Sequence, residues 1–245
     1  MDLSNQLVVA FLIACVSLLY ATVGQAGGTA FLAIMAVAEF PSFEMRTTAL
    51  FLNVVAAGYA TWRLHRKRLV DWNLLAHVTV PSLVTAFAGG LIVITGHYYF
   101  ILTGTLLVVA AGMMVFRRTA DKIEQHKAGP VSAVVVGGAA GFVAGLTGVG
   151  GGVFLTPLPI ALGWASPRNA AAISPGFILA NSVTGLAGVL LAGQSLVPAV
   201  PLYAASALLG AILGTAIGPR WMSQQATRYL LAAILLFAGV RLLFR

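Results

Sequence analysis

Two clusters of glycine, each followed further along the chain by a single asparagine, are the residues best suited to bind a ligand. The clusters lie at 24–28 and 148–152, and the asparagines are Asn53 and Asn181. A helix N-terminus offers unpaired N–H groups and a favourable dipole to an anion, and glycine lets the backbone approach it closely. Because each cluster directly precedes a short apolar segment, the pattern predicts two helix N-termini facing one central cavity.

Hydroxyl and amide side chains near the clusters are predicted to complete this site. The predicted substrate-binding residues are Gly24, Gln25, Gly27, Gly28, Thr29, Thr48, Asn53, Gly148, Gly150, Gly151, Gly152, Thr156, Ser174 and Asn181. No Asp, Glu, Lys or Arg lies in the middle of a predicted span, which favours neutral donors for an anion over a carboxylate-lined cation pathway. The chain has no spaced Cys/His set for a metal, and we predict no catalytic residue and no cofactor.

Structural roles compete with ligand binding at these positions. The clustered glycines could serve close helix packing alone, and Asn53 and Asn181 could be hydrogen-bonding links between helices. For the glycines between 137 and 145, packing is the favoured interpretation. A hydroxyl in a helix often bonds its own backbone.

Several polar and aromatic residues are assigned to helix ends. Ser42 and Ser166 are predicted N-caps, with Pro167 at the first helical position. The charged stretch at 39–46, which includes Arg46, is predicted to be a solvated outer loop, with a gating role left open. The aromatic residues predicted to anchor span ends at the membrane interface are Trp62, Trp72, Tyr98 and Tyr99.

The composition is that of an integral membrane protein. Of 245 residues, 60% are hydrophobic and 8% are charged, against about 25% charged in soluble domains. The runs are apolar on every side, which excludes the alternating pattern of a membrane β-barrel. The net charge of +8 comes from basic residues clustered in loops beside spans, so it indicates topology rather than nucleic-acid binding.

Ten apolar segments predict an all-α fold with about eight full-length transmembrane helices and two half-helices. The segments are roughly 6–23, 28–39, 45–62, 73–95, 98–116, 131–147, 152–163, 169–192, 198–217 and 226–244. The second and seventh are too short to cross a hydrocarbon core of ~30 Å. Such short segments are tolerated at membrane depth only where protein or a water-filled cavity satisfies their backbone.

The doubled pattern divides the chain into two related halves, 1–127 and 128–245, with no soluble domain. The basic loops at 63–68 and 117–127 must share a side, and the positive-inside rule places them in the cytoplasm. An inverted second half then puts eleven of the fourteen Lys and Arg residues inside and Arg46, Arg241 and Arg245 outside. The C-terminal pair fits this rule poorly, and an even number of crossings in the second half would remove the difficulty.

At the two glycine clusters the sequence resembles the TauE/SafE sulfite exporter family of bacterial permeases. The likeness rests on Gly-Val-Gly-Gly-Gly followed by Phe-Leu-Thr-Pro-Leu at 148–158 and on Gly-Gln-Ala-Gly-Gly-Thr-Ala at 24–30, and it extends over essentially the whole chain. The first half departs from the pattern, with Ala26 where the second half has Gly150 and Ala33 where it has Pro157. The resemblance implies a multi-pass permease for sulfur-containing anions or related carboxylates.

Secondary transport is therefore the predicted function, with an anion channel as the alternative. A nucleotide-binding enzyme would need a strand before the glycines and a GKS/T motif, and neither is present. The sequence predicts alternating access in the bacterial inner membrane, with a small anionic substrate and the lipid bilayer as partners. A homodimer through one of several small-residue faces stays open, as do proton coupling, sodium coupling and facilitated diffusion.

Overall fold

The computed structural model describes residues 2–22, 24–94, 96–116, 129–152, 157–217 and 224–245. These residues form helices and no strand. The helices are α1 (Leu3–Thr22), α2 (Gly28–Val37), α3 (Ser42–Arg66), α4 (Trp72–Leu91), α5 (Gly96–Phe116), α6 (Pro130–Thr147), α7 (Pro157–Ala161), α8 (Pro167–Leu191), α9 (Val200–Ile217) and α10 (Gln224–Leu243). The predicted all-α class is confirmed.

Five of these helices are long and apolar enough to cross a membrane by length and composition: α1, α4, α5, α8 and α9. Their outer faces carry large apolar side chains, such as Phe11, Val84 and Leu191, each about 70% exposed or more. Exposed apolar surface on this scale is unfavourable in water and favourable against lipid tails. The α2 helix has only ten residues, as its short apolar segment predicts.

Glycine brings several pairs of helices into close backbone contact. In α6, a Cβ on Gly137, Gly141 or Gly145 would collide with a carbonyl oxygen of α4, at Val78, Ser82 and Ala86 respectively. The packing role predicted for these glycines is confirmed. Gly210 and Gly214 of α9 approach the backbone of α1 in the same way. In lipid no hydrophobic driving force brings helices together, so their association depends on van der Waals contacts. Small residues strengthen these contacts because they let the helix backbones approach closely.

Contacts between helix ends define two sides of the bundle. On one side, which we call the Arg46 side, the guanidinium of Arg46 reaches Ile92 just past the end of α4, and Arg241 near the end of α10 pairs with Glu39 at 2.9 Å. On the other side Arg63, near the end of α3, donates to Thr215 near the end of α9. The 25 residues of α3 join the two sides.

The helix caps agree with the sequence at α8 and differ from it at α3. The Ser166 hydroxyl accepts from the Asn169 N–H at 3.2 Å, and Pro167 is the first residue of α8. The prediction for Ser42 is wrong: Pro41 is the N-cap of α3. The Ser42 hydroxyl instead accepts from the Gly96 N–H, at 3.3 Å. It therefore links the start of α3 to the start of α5.

Replacing Ser166 with Ala should lower the stability of the protein by about 1 kcal/mol, since it removes the side-chain acceptor for an unpaired N–H of α8. Thermal unfolding of the purified protein measures the change. Ser206→Ala is the matched control, because the Ser206 hydroxyl bonds to the Leu202 carbonyl within its own helix. An equal loss in both variants would contradict the capping role.

Candidate functional site

The two glycine clusters are true breaks in the helical backbone. Five of their glycines have positive φ: Gly24 (76°), Gly27 (99°), Gly148 (84°), Gly150 (79°) and Gly151 (73°). Residues with a Cβ rarely adopt this left-handed region, so glycine is needed here for chain conformation and not for packing alone. The first break separates α1 from α2, and the second follows α6.

The first break ends at the uncapped N-terminus of α2. Gly27 is the N-cap, and no side chain accepts a hydrogen bond from the first turn. The break is stabilised by Tyr20, whose hydroxyl lies 2.7 Å from the Thr29 hydroxyl and whose carbonyl accepts from the Gln25 N–H at 2.9 Å. Gln25 and Thr29 are buried. Tyr20 was missed by sequence reasoning because it lies in an unbroken apolar helix with no motif around it.

The two breaks meet at Asn53. This fully buried side chain donates from Nδ2 to the Gly148 carbonyl at 3.4 Å. A Cβ on Gly28 would lie 2.5 Å from the Val149 carbonyl oxygen and 2.7 Å from Asn53 Oδ1. The first residue of α2 therefore lies against both Asn53 and the second break. The structure brings both clusters and Asn53 together.

Ser182 belongs to this centre and was not predicted. A Cβ on Gly150 would lie 2.7 Å from Asn53 Nδ2 and 3.3 Å from Ser182 Oγ. The Ser182 hydroxyl is fully buried and has no hydrogen-bond partner. A helical register argument could have found it, because Ser182 shares one stripe of α8 with Ser174 and Ile178.

Asn181 faces differently from Asn53. Its Nδ2 donates to the Phe177 carbonyl of its own helix at 2.9 Å, and its buried Oδ1 has no partner. Asn53 lies eleven residues after Ser42, the first residue of α3, whereas Asn181 lies fourteen residues after Pro167, the first residue of α8. The register equivalent of Asn53 in α8 is therefore Ile178, which touches Gly150 and Gly152.

The remaining predicted residues lie in different surroundings. Thr48 is fully buried, and its hydroxyl has no partner. Gly152 lies beside α8, where a Cβ would come within 3.0 Å of Ser174 Oγ. Gly24 packs against α8 at Ala171, whose carbonyl oxygen would be 2.9 Å from a Cβ on Gly24. Thr156 lies outside the described residues.

The prediction that Arg46 lies in a solvated loop is wrong. Its side chain is completely buried in the first turns of α3. Its guanidinium donates to the carbonyls of Gly89 and Gly90 at 2.7 Å each, to that of Ile92 at 2.7 Å and to that of Gly145 at 3.0 Å. These carbonyls lie at the C-terminal ends of α4 and α6, where helical partners run out and the dipole is negative.

Arg46 also lies against the second break. A Cβ on Gly148 would be 3.0 Å from the Arg46 carbonyl oxygen and 3.4 Å from its Cγ. Tyr99 supports the same region: it is fully buried and donates to the Thr147 carbonyl at 2.9 Å. The interface role predicted for Tyr99 is therefore wrong, whereas Tyr98, Trp62 and Trp72 are each at least half exposed.

Among the residues that the structure describes, the charge buried near the site is that of Arg46. Among the described residues no Asp or Glu is buried, and Arg46 is the one buried ionised side chain. The same residues contain no group of three or more His, Cys, Asp or Glu that could hold a metal ion. The arrangement of two helix breaks, buried neutral polar groups and one buried cation is that of a polytopic membrane protein with a polar interior.

Comparison with known proteins agrees with this class. The family described as sulfite exporter TauE/SafE matches residues 9–242, and the chain belongs to that family. A probable membrane transporter protein, y4hK, of Sinorhizobium fredii is 31% identical over 242 residues, 97% of each chain. A probable membrane transporter protein, MJ0441, of Methanocaldococcus jannaschii is 26% identical over 208 residues, 80% of this chain and 77% of the relative. No solved structure matches the chain.

Proposed function

We propose that the protein is a secondary transporter that moves a small anion across the cell membrane by alternating access. The observation that carries the proposal is the meeting of two helix breaks at one buried polar point, next to a buried arginine. Half-helices that end at a shared central site are the arrangement by which transporters bind charged solutes away from lipid.

Eight full crossings and two half-helices, arranged as two inverted halves, are part of this proposal. The contacts of two helix pairs at matching positions in the halves, α3 with α8 and α5 with α10, support this part of the proposal, because inversion requires such pairs to run antiparallel. In the pair α3 and α8, Leu50 lies near Gly185 and Gly58 lies near Leu179. A later residue of α3 therefore meets an earlier residue of α8, as it does in antiparallel helices. In α5 and α10, Gly104 and Gly239 approach each other reciprocally.

Each break contacts the opposite half of the chain at a matching position, which supports the same proposal. Gly24 of the first half packs on Ala171 of the second, and Gly148 of the second half packs on Arg46 of the first. Ala171 is four residues after the start of α8, and Arg46 is four residues after the start of α3. A pseudo-two-fold axis would relate the two contacts. A rocking motion of one half against the other would open the centre alternately to each side.

Anion selectivity would come from backbone N–H groups and from the field of Arg46. The α2 N-terminus has no capping side chain, so its first N–H groups are available to a ligand. Arg46 supplies positive charge close to Gly148, and no buried carboxylate among the described residues offsets it. Charge interactions are strong in a low-dielectric interior, so a monoanion or dianion is favoured over a neutral solute.

The substrate class that we propose is a sulfur oxyanion such as sulfite, an organosulfonate or a related carboxylate. The family name supports the first of these. The polar groups around the site are neutral amides and hydroxyls, which can bind a tetrahedral or pyramidal oxyanion without a second ionised partner.

Thermal unfolding of the purified protein across a panel of anions tests this proposal. The panel contains sulfite, sulfate, thiosulfate, sulfoacetate, taurine and short carboxylates, and a ligand at 100 times its Kd should add about 2.7 kcal/mol of stability. Saturable uptake of the stabilising anion into liposomes would support a transporter. Flux that rises linearly with concentration would indicate the anion channel instead, and an absence of stabilisation by every anion would contradict the proposed substrate class.

A further inference from the structure

Ser182 carries a hydroxyl that its own helix leaves unused. Hydroxyls inside an apolar helix often bond to the carbonyl four residues earlier, as those of Thr184, Ser206 and Thr215 do in α8 and α9. The Ser182 hydroxyl makes no such bond, because it is fully buried and has no hydrogen-bond partner among the described residues. Buried polar groups are normally hydrogen-bonded, so a ligand is expected to bind this hydroxyl.

The Asn53 amide offers a second donor at the same place. Its Nδ2 carries two N–H groups, and one of them donates to the Gly148 carbonyl. This bond sets the orientation of the amide, since a flipped amide would place Oδ1 against that carbonyl. Nδ2 lies 2.7 Å from the point that a Cβ on Gly150 would occupy, and Ser182 Oγ lies 3.3 Å from that point. Both donors therefore lie against the same face of the second break.

The acceptor atoms of the centre lie against a different residue. Asn53 Oδ1 and the Val149 carbonyl oxygen are within 2.7 Å of the point that a Cβ on Gly28 would occupy. Gly28 is the first residue of α2, and the positive end of the helix dipole favours acceptors there. The Gly150 face is lined by an N–H group, a hydroxyl and a methyl group of Ile178. Such a lining can donate two hydrogen bonds to an anion.

Ser182 is the counterpart of Asn53 in space, although Asn181 is its counterpart in the sequence pattern. The α8 residue in register with Asn53 is Ile178, whose side chain is apolar. Ser182 lies four residues further, about one turn along the same face of α8, and it lies against Gly150 as Ile178 does. Asn181 instead donates to a carbonyl of its own helix.

We infer that Asn53 Nδ2 and Ser182 Oγ are the side-chain donors that bind the oxygen atoms of the transported anion, one from α3 and one from α8. The inference rests on the proposed function and names the residues that determine its specificity. The Arg46 guanidinium is bound to four carbonyls, so it attracts the anion through its field while the two neutral donors contact it. A sulfur oxyanion or a carboxylate offers each donor an oxygen atom of its own, whereas a halide shares one atom between them. Oxyanions should therefore bind in preference to chloride.

Sulfite titration of the thermal stability of Ser182→Ala tests the inference. Purified protein is unfolded in potassium chloride with increasing potassium sulfite at constant ionic strength. Loss of a hydrogen bond to a charged ligand should raise the half-saturating sulfite concentration about tenfold or more. Without sulfite the Tm should equal that of the wild type or exceed it, because the variant removes a buried hydroxyl that has no partner. A merely structural serine would give the reverse, with a lower Tm and an unchanged half-saturating concentration.

Two further variants keep the test decisive. Thr61→Val removes another buried hydroxyl without a partner, about 12 Å further along α3 than Asn53, and it should titrate like the wild type. Asn53→Asp keeps the size of the side chain but replaces the N–H donors with a charged oxygen, so it should abolish stabilisation by sulfite. Wild-type titration by Ser182→Ala or Asn53→Asp would overturn the inference alone. A wild-type protein that no anion of the panel stabilises would overturn the proposed function and the inference with it.

Discussion

Arg46→Met is expected to lower the stability of the protein by at least about 3 kcal/mol and to abolish anion stabilisation. The substitution keeps an apolar stem and removes donors from the buried carbonyls of Gly89, Gly90 and Gly145 and from the partly buried carbonyl of Ile92. Each buried acceptor left unpaired costs about 1–3 kcal/mol. A fall in Tm of about 6 °C or more should follow for a chain of this size. Thermal unfolding with and without the anion measures both effects.

Two variants show whether the loss of stability depends on the several N–H donors of the planar guanidinium group. Arg46→Lys keeps the charge, but a single ammonium has three donors and cannot reach four carbonyls in this geometry. It should retain anion stabilisation better than Arg46→Met while still losing Tm. Arg66→Met, at the exposed end of α3, is the matched control and should leave both properties unchanged. Wild-type Tm in Arg46→Met would refute the role of Arg46 in holding α4 and α6.

Gly28→Ala is expected to reduce transport at least about tenfold in a protein that still folds. One methyl group is added where the Asn53 amide and the Val149 carbonyl already lie within 2.7 Å of the Cβ position. Overpacking of this kind costs about 1–3 kcal/mol, and each 1.4 kcal/mol of lost affinity is a factor of ten. Gly28 does not have positive φ, so the change acts through space at the site and not through backbone strain. Anion-dependent Tm and liposome flux are the measurements.

Gly112→Ala is the control for this prediction. Gly112 lies inside α5, and a Cβ there meets nothing within 4 Å. Alanine should therefore stabilise the helix by about 0.5–1 kcal/mol and leave transport unchanged. If Gly28→Ala transports as well as Gly112→Ala, the point between Gly28, Asn53 and Val149 is not on the substrate path.

The helical fold and the location of the breaks follow from local sequence. Apolar runs predict the helices because their length and composition leave no other way to satisfy a backbone in lipid. The ten-residue helix α2 and the N-cap at Ser166 are likewise local, since each depends on residues within one or two turns. Glycine clusters predict breaks for the same reason, as positive φ is a property of the single residue.

Contacts between segments that are distant in the chain determine which side chains meet at the site, and local sequence patterns do not predict them. The sequence predicts that Arg46 lies in a loop because its neighbours are charged. Its hydrogen bonds to four carbonyls form only because α3 packs against the ends of α4 and α6. Ser182 has no sequence signal, and its place beside Gly150 depends on how α8 meets the second break. The side chains of Asn53 and Asn181 point in different directions because their positions in α3 and α8 differ by three residues. This offset turns a helical side chain by about 60°.

The sequence by itself therefore determined an all-helical membrane protein with two glycine breaks and a set of neutral polar residues near them. It did so because membrane spans and left-handed glycines are local consequences of composition. The tertiary structure alone decided which of these groups meet, which amide atoms stay unpartnered and where the buried positive charge of Arg46 lies. Those properties depend on side chains from α2, α3, α8 and the second break converging across more than a hundred residues of chain.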